Sequence, residues 1–242
     1  MPKFTPVKPS RFSDTIAAQL KNAILIRDYK PDEKLPSEKE LTETFQASRV
    51  VVREAIRSLE LGGFVSIRQG PYGGAYVQRL GYDRLTEHFI DLFMAGELSV
   101  QELVQARLFL ETEVVCLAAQ NITDEWAEKL RKALAEEQIP TKKHADWVRR
   151  NMATDYILME MCGNRFYAAM LEPLMKLTQE IVLVVKPRRT VIHDAREHQA
   201  IVDAVINGNS ELAAQAMANH IRHMAERLIN LEGDYRKRKG LV

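Results

Sequence analysis

Ser48-Arg49-Val50-Val51-Val52-Arg53-Glu54-Ala55-Ile56-Arg57-Ser58-Leu59 is the stretch whose reading decides the fold. On a helix of 3.6 residues per turn, Arg49, Arg53 and Arg57 fall at i, i+4 and i+8, while Val52, Ala55, Ile56 and Leu59 form an adjoining apolar stripe. One side is built for burial and the other is cationic. Upstream, Ser37-Glu38-Lys39-Glu40 is an S-x-x-E capping box that starts a shorter helix through Leu41 and Phe45, and Gln46-Ala47 turn the chain into Ser48. Two short helices joined so tightly predict a helix-turn-helix, whose second member enters a DNA major groove by its N-terminal end. Downstream, Gly62-Gly63 stops the helix, Phe64-Val65-Ser66-Ile67-Arg68 reads as a short strand, Gly70-Pro71-Tyr72-Gly73-Gly74 as a turn and Ala75-Tyr76-Val77 as the returning strand. The whole of 36–77 therefore predicts a winged helix.

The rest of the chain fits a small reader joined to a larger partner. Its 242 residues allow two domains, and 46% hydrophobic content is enough to bury real cores. The net charge of +1 hides an asymmetry: residues 1–80 carry 13 Lys and Arg against 9 Asp and Glu, and residues 81–242 carry 21 against 24. The cationic excess lies where phosphate binding needs it. Cys116 and Cys162 sit in apolar helical patterns and offer no disulfide framework, which points to a reducing compartment. No apolar signal region opens the chain, and the aliphatic run 181–185 is too short to span a bilayer, so a cytoplasmic, membrane-free protein is expected.

Residues 1–10 read as a flexible arm, 11–78 as the winged helix-turn-helix domain with a first amphipathic helix over 12–26, and 79–83 as a linker. From 84 to 232 the periodicity is helical throughout, broken at Gly96, Asn121, Pro140, Gly163-Asn164, 187–190 and Gly208-Asn209-Ser210. That predicts an all-α bundle of about seven helices, so the fold class is mainly α with one small β wing. Ser99-Val100-Gln101-Glu102 is a second capping box, Thr123 and Ser210 are expected N-caps, Pro173 is expected to kink or divide its helix, and Gly233 marks the last stop before a basic tail over 233–242. No Gly-rich phosphate loop, nucleophile elbow or H-E-x-x-H helix is present in the sequence.

Lys34-Leu35-Pro36-Ser37-Glu38-Lys39-Glu40-Leu41, Ser48-Arg49-x-x-x-Arg53-Glu54-Ala55-Ile56-x-x-Leu59, Gly62-x-Phe64-Val65 and Gly74-Ala75-Tyr76-Val77 together resemble the DNA-binding domain of the GntR family of bacterial repressors. The second half is similar to the all-helical effector domain of the FadR-type, or FCD, branch, through Arg107-x-x-Leu110-Glu111, Asp155 with Cys162-Gly163-Asn164, Glu197-His198-Gln199-Ala200-Ile201 and 213–220. The resemblance implies base-edge contacts from Arg49 and Arg53, phosphate contacts from Ser48 and Lys39, and a wing tip at Gln69-Gly70 that reaches the minor groove. A guanidinium fork matching the N7 and O6 acceptors of guanine is the physical basis of the first. Arg57, farther from the reading end, is expected to pair with Glu54, Glu60 or the second domain.

In the helical domain the resemblance implies a divalent metal, zinc, nickel or manganese, held by an aspartate and three histidines. Asp155, His198 and His220 occupy three of those places and Met159, a poor partner for these ions, the fourth. Two imidazoles and one carboxylate remain, to be completed by water or by an acidic effector. The alternative is a metal-free polar pocket whose histidines bond the ligand directly. Arg107 is implied to line the same cavity and meet an effector carboxylate, or else to pair with Glu111 or Asp155. His88, His144, His193 and His223 are expected to be surface or packing residues. The implied function is a ligand-responsive regulator binding a palindromic operator as a homodimer, with a small carboxylate as effector and domain reorientation as the switch. Two alternatives stand beside it: a metal-free acyl-CoA sensor of the same branch, and a metal-dependent enzyme tethered to DNA.

Overall fold

A computed structural model describes residues 12–187 and 195–241; the arm 1–10, His193 and the 188–190 part of the expected break lie outside the described residues. The chain divides into two compact units at Gly81/Tyr82. In the first, α1 (Phe12–Leu25), α2 (Glu38–Phe45) and α3 (Arg49–Leu61) pack with a hairpin of β1 (Val65–Arg68) and β2 (Gly74–Val77). Ser37 caps α2 with the full reciprocal box to Glu40, and Gln46 ends it in the left-handed conformation at φ 48°. Ser48 then caps α3 by accepting from the Val51 N–H. The two caps fix both ends of the turn, so α3 starts at Arg49 and its register puts Val52, Ala55, Ile56 and Leu59 into the core. They meet Ile16, Leu20 and Ile24 of α1, Leu35 and Leu41, and Val65 and Val77 of the hairpin. β1 and β2 pair antiparallel with Val65 opposite Val77 and Arg68 opposite Gly74.

Among the described residues the second unit has eight helices: α4 (Asp83–Met94), α5 (Val100–Gln120), α6 (Asp124–Glu137), α7 (His144–Asn151), α8 (Ala153–Met161), α9 (Arg165–Val185), α10 (Ala195–Ile206) and α11 (Ser210–Arg238). Their shared core includes Phe93, Val115, Leu130, Leu158, Met175, Ile181, Ile201 and Ile221. The buried face of α5 runs through Leu103, Arg107, Leu110, Glu111 and Val114, so the helical period that buries its aliphatics also buries an ion pair.

Three local expectations need correction, and that for Pro173 is narrowed. Met152, at φ −90° and ψ −4°, divides α7 from α8, where unbroken helix is expected; no Gly or Pro marks that bend. Asn209, not Ser210, caps α11, its side chain accepting from the Leu212 N–H. Pro173 does not divide α9, whose turns on either side are pinned by buried Leu171, Leu174 and Leu177. Gly233 is no stop: α11 continues to Arg238, because Tyr235 is fully buried against Phe93 at 5.5 Å between ring centroids. Arg236 adds bonds to the carbonyls of Phe93 and Leu98, so this stretch is docked helix and not a loose tail.

Candidate nucleic-acid interface and effector cavity

The N-terminal turn of α3 leaves Ser48, Arg49 and Val50 exposed. Arg49 takes part in no ion pair among the described residues, whereas Arg53, one turn on, donates through Nε to Glu38 Oε2 at 2.8 Å. The Arg53 side chain is largely exposed and that of Glu38 partly so, so their pairing is weak and Arg53 is held without being locked. Lys39 lies 3.9 Å from Glu43 on the exposed face of α2. Gln69 and Gly70 are exposed at the wing tip, where Gly70 takes φ 96° with open space beside it. The unit therefore presents a fork-bearing helix end and a slim hairpin tip, the shapes that suit a groove and its backbone.

In the second unit, Arg107 of α5, Asp155 of α8, His198 of α10 and His220 of α11 converge on one cavity of about 50 Å³, together with Trp147, Asn151 and Thr178. One ligand atom from each of Asp155, His198 and His220 lies within 4.8 Å of the others, and all three residues are buried. The imidazole centroids are 4.7 Å apart. His198 Nδ1 is 2.8 Å from Glu137 Oε2, and His220 Nδ1 is 2.9 Å from Glu197 Oε2. Each ring is thus oriented by a carboxylate behind it, leaving Nε2 as its ligand nitrogen, and His198 Nε2 is 3.8 Å from Asp155 Oδ1. Asp155 Oδ1 is buried with no hydrogen-bond partner. A carboxylate oxygen in that state beside two oriented imidazoles is a donor set that fits a divalent cation. Met159 is buried in the core and is not among the residues lining the cavity.

Burial disfavours charge on either imidazole, but at His198 the Glu137 carboxylate and Asp155 outweigh it and raise the pKa. At His220 burial prevails over the bond to Glu197, the neighbouring His198 adds to it, and the pKa falls. His198 is therefore the more basic of the two. Burial also works against a charge on Arg107, and the Glu111 carboxylate more than restores it. Arg107 Nε donates to Glu111 Oε1 at 2.5 Å and Nη1 to Thr178 Oγ1 at 3.0 Å, so this guanidinium already has a carboxylate of its own.

Sequence reasoning missed the supporting carboxylates. Glu197 bridges His220 and His223, so His223, expected to be a surface or packing residue, does lie at the surface and is also joined to the site through Glu197 Oε1 at 2.9 Å. Glu137 is the last residue of α6, a place where the helix dipole disfavours negative charge. An acid there is the signal that was available. Asn151, with both side-chain polar atoms buried and unbonded, carried no signal in a segment read as ordinary helix.

Comparison with known proteins agrees with this layout. Residues 12–77 match the family described as bacterial regulatory proteins, gntR family, and residues 102–223 match the FCD domain. The HTH-type transcriptional repressor NanR of Cronobacter sakazakii is 28% identical over 222 residues, covering 89% of this chain and 85% of its own length. NanR of Escherichia coli K12 is 27% identical over 230 residues, covering 91% and 85%. Among solved structures, Streptococcus agalactiae GntR is similar with a TM-score of 0.60 and 25% identity, over 88% of this chain and 99% of its own. With a gntR-type winged helix followed by an FCD domain that spans half its length, the chain belongs to the GntR family of bacterial regulators, FCD branch, and is a ligand-responsive DNA-binding transcription regulator and not an enzyme.

Proposed function

We propose that this protein is a repressor that binds a palindromic operator as a homodimer and responds to a small carboxylate held at a metal in its helical unit. The observation that carries the effector reading is the convergence of the buried residues Asp155, His198 and His220 within 4.8 Å of one another on one cavity. These three residues would hold zinc, nickel or manganese, which when bound supplies positive charge for an anionic ligand. Glu137 and Glu197 keep the imidazoles aimed inward, and Asn151 offers a donor and an acceptor to whatever fills the remaining space.

Cavity size favours this over an acyl-CoA. About 50 Å³ accommodates a small acid or a few waters, whereas sites for larger ligands run to several hundred Å³. Arg49 and Arg53 read base edges, Ser48 and Lys39 meet phosphates, and Gln69-Gly70 enters the minor groove. Two-fold symmetry of a dimer would then call for two half-sites in the operator.

The test is metal analysis of protein purified without a histidine tag, paired with operator binding in a panel of small carboxylates. One equivalent of metal, lost in His198→Ala, and a several-fold change of operator affinity with one acid are expected. Absence of metal together with an operator affinity indifferent to every acid would overturn the reading.

A further inference from the structure

Beside the expected reading residues lies a groove lined by Lys34, Ser37, Glu38, Lys39 and Arg49, with Gly74 in its wall. Lys34 reaches it through the backbone. The segment before α2 runs alongside β2: Lys34 bridges Tyr76, the Leu35 N–H donates to the Ala75 carbonyl at 2.8 Å, and the Val77 N–H donates to the Glu33 carbonyl at 2.8 Å. These bonds fix where the Lys34 side chain starts. It then lies across Gly74, so closely that a Cβ at position 74 would sit 2.5 Å from Lys34 Cε and 3.3 Å from Nζ. Gly74 itself takes φ 144°, a conformation that residues with a Cβ rarely adopt. Glycine there both permits the wing's backbone and leaves the lane that Lys34 occupies.

The groove is cationic. Of its charged side chains only Glu38 is acidic, and Glu38 is engaged by Arg53 at 2.8 Å. Lys34 and Arg49 form no ion pair among the described residues, Lys39 has a long contact to Glu43, and the Glu40 carboxylate, already bonded to Ser37, lies near enough to both lysines to feel their charge without pairing with either. An open groove with this excess, adjoining the arginine that faces bases, matches a backbone phosphate flanking the bases read.

We propose that Lys34 is a DNA-contact residue, seated by Gly74 to hold one backbone phosphate next to the base pairs that Arg49 reads. The inference rests on the reading in which the tip of α3 enters the major groove. It adds a lysine and a positioning glycine to that reading, both on the wing side of the helix.

The experiment titrates the full chain with its own upstream DNA and with a random duplex over a series of salt concentrations. Lys34→Gln is expected to weaken both complexes by the same factor, about fivefold near physiological salt, and to reduce the slope of log affinity against log salt by about 0.9, the signature of one phosphate contact. Lys132→Gln on α6 removes the same charge and is expected to leave the slope alone. Gly74→Ala should reproduce the slope loss in the native background and add none in Lys34→Gln, which separates positioning of Lys34 from general damage to the wing. If Gly74→Ala unfolds the hairpin by circular dichroism, Lys34→Gln decides alone. An unchanged slope in Lys34→Gln, while Arg49→Ala still lowers the preference for the upstream DNA, refutes the inference and leaves the α3 reading standing. If Arg49→Ala also keeps the preference, that reading falls and the inference with it.

Discussion

Arg49 and Arg53 occupy equivalent faces of successive turns of α3, yet only Arg53 is tied, to Glu38 at 2.8 Å. On the proposed reading Arg49 would meet DNA with its fork already free, and Arg53 would first exchange a weak pair with Glu38 for a base or phosphate. Arg49→Ala is expected to lose roughly 1 to 3 kcal/mol of discrimination between operator and random duplex while keeping most non-specific affinity, as read by competition gel shift. An equal loss on both duplexes would make Arg49 a phosphate contact and not a reader. The position of Arg49 was legible because Ser48 is an N-cap and the cap sets the register. Asp155, His198 and His220 were legible only through resemblance, since no spacing within one helix joins three residues on three helices. Glu137 and Glu197 bond the two imidazoles and Asn151 lines the cavity, all from still other positions, and apart from the placing of Glu137 at a helix end nothing in their types separates them from surface residues.

Helix starts were the most readable elements, since capping chemistry is local. Both capping boxes form, at Ser37–Glu40 and Ser99–Glu102. Hydrogen bonds from Ser99 hold the Glu102 carboxyl below its usual value. A lowered carboxyl contributes stability above about pH 4.5, its ordinary value, and that contribution fades as pH falls through the lowered one. Acidification below that range is therefore expected to fray the first turn of α5 before the core opens, seen as faster amide exchange at 100–103 than at 110–118 in the same sample. Uniform exchange at both places would contradict it. Helix ends and bends were less readable because tertiary packing decides them: α11 outlasts Gly233 on account of Tyr235, and Met152 bends without a breaker residue. Tyr235→Ala is expected to destabilise the second unit by about 3 kcal/mol or more through loss of a fully buried aromatic side chain. Tyr235→Phe should be neutral or better, since the buried hydroxyl has no hydrogen-bond partner. Thermal melts of the two variants check this, and an alanine variant as stable as the native chain would return 233–241 to the status of a tail.

At the scale of the whole molecule, the switch from strand-and-turn punctuation to unbroken helical periodicity near Gly81 was visible in the amino-acid pattern, and two compact units divide there. Each unit has its own hydrophobic core, so DNA reading and ligand sensing rest on separate packing. The central claim is that the exposed N-terminal turn of α3, with Arg49 at its tip, reads DNA sequence. Fluorescence anisotropy of the full chain with its own upstream DNA and with a shuffled duplex of equal length, at moderate salt, tests it most directly. A preference of about a thousandfold or more for the upstream DNA, reduced in Arg49→Ala by roughly 1 to 3 kcal/mol, is the outcome this account predicts; equal affinity of the native chain for the two duplexes would contradict it.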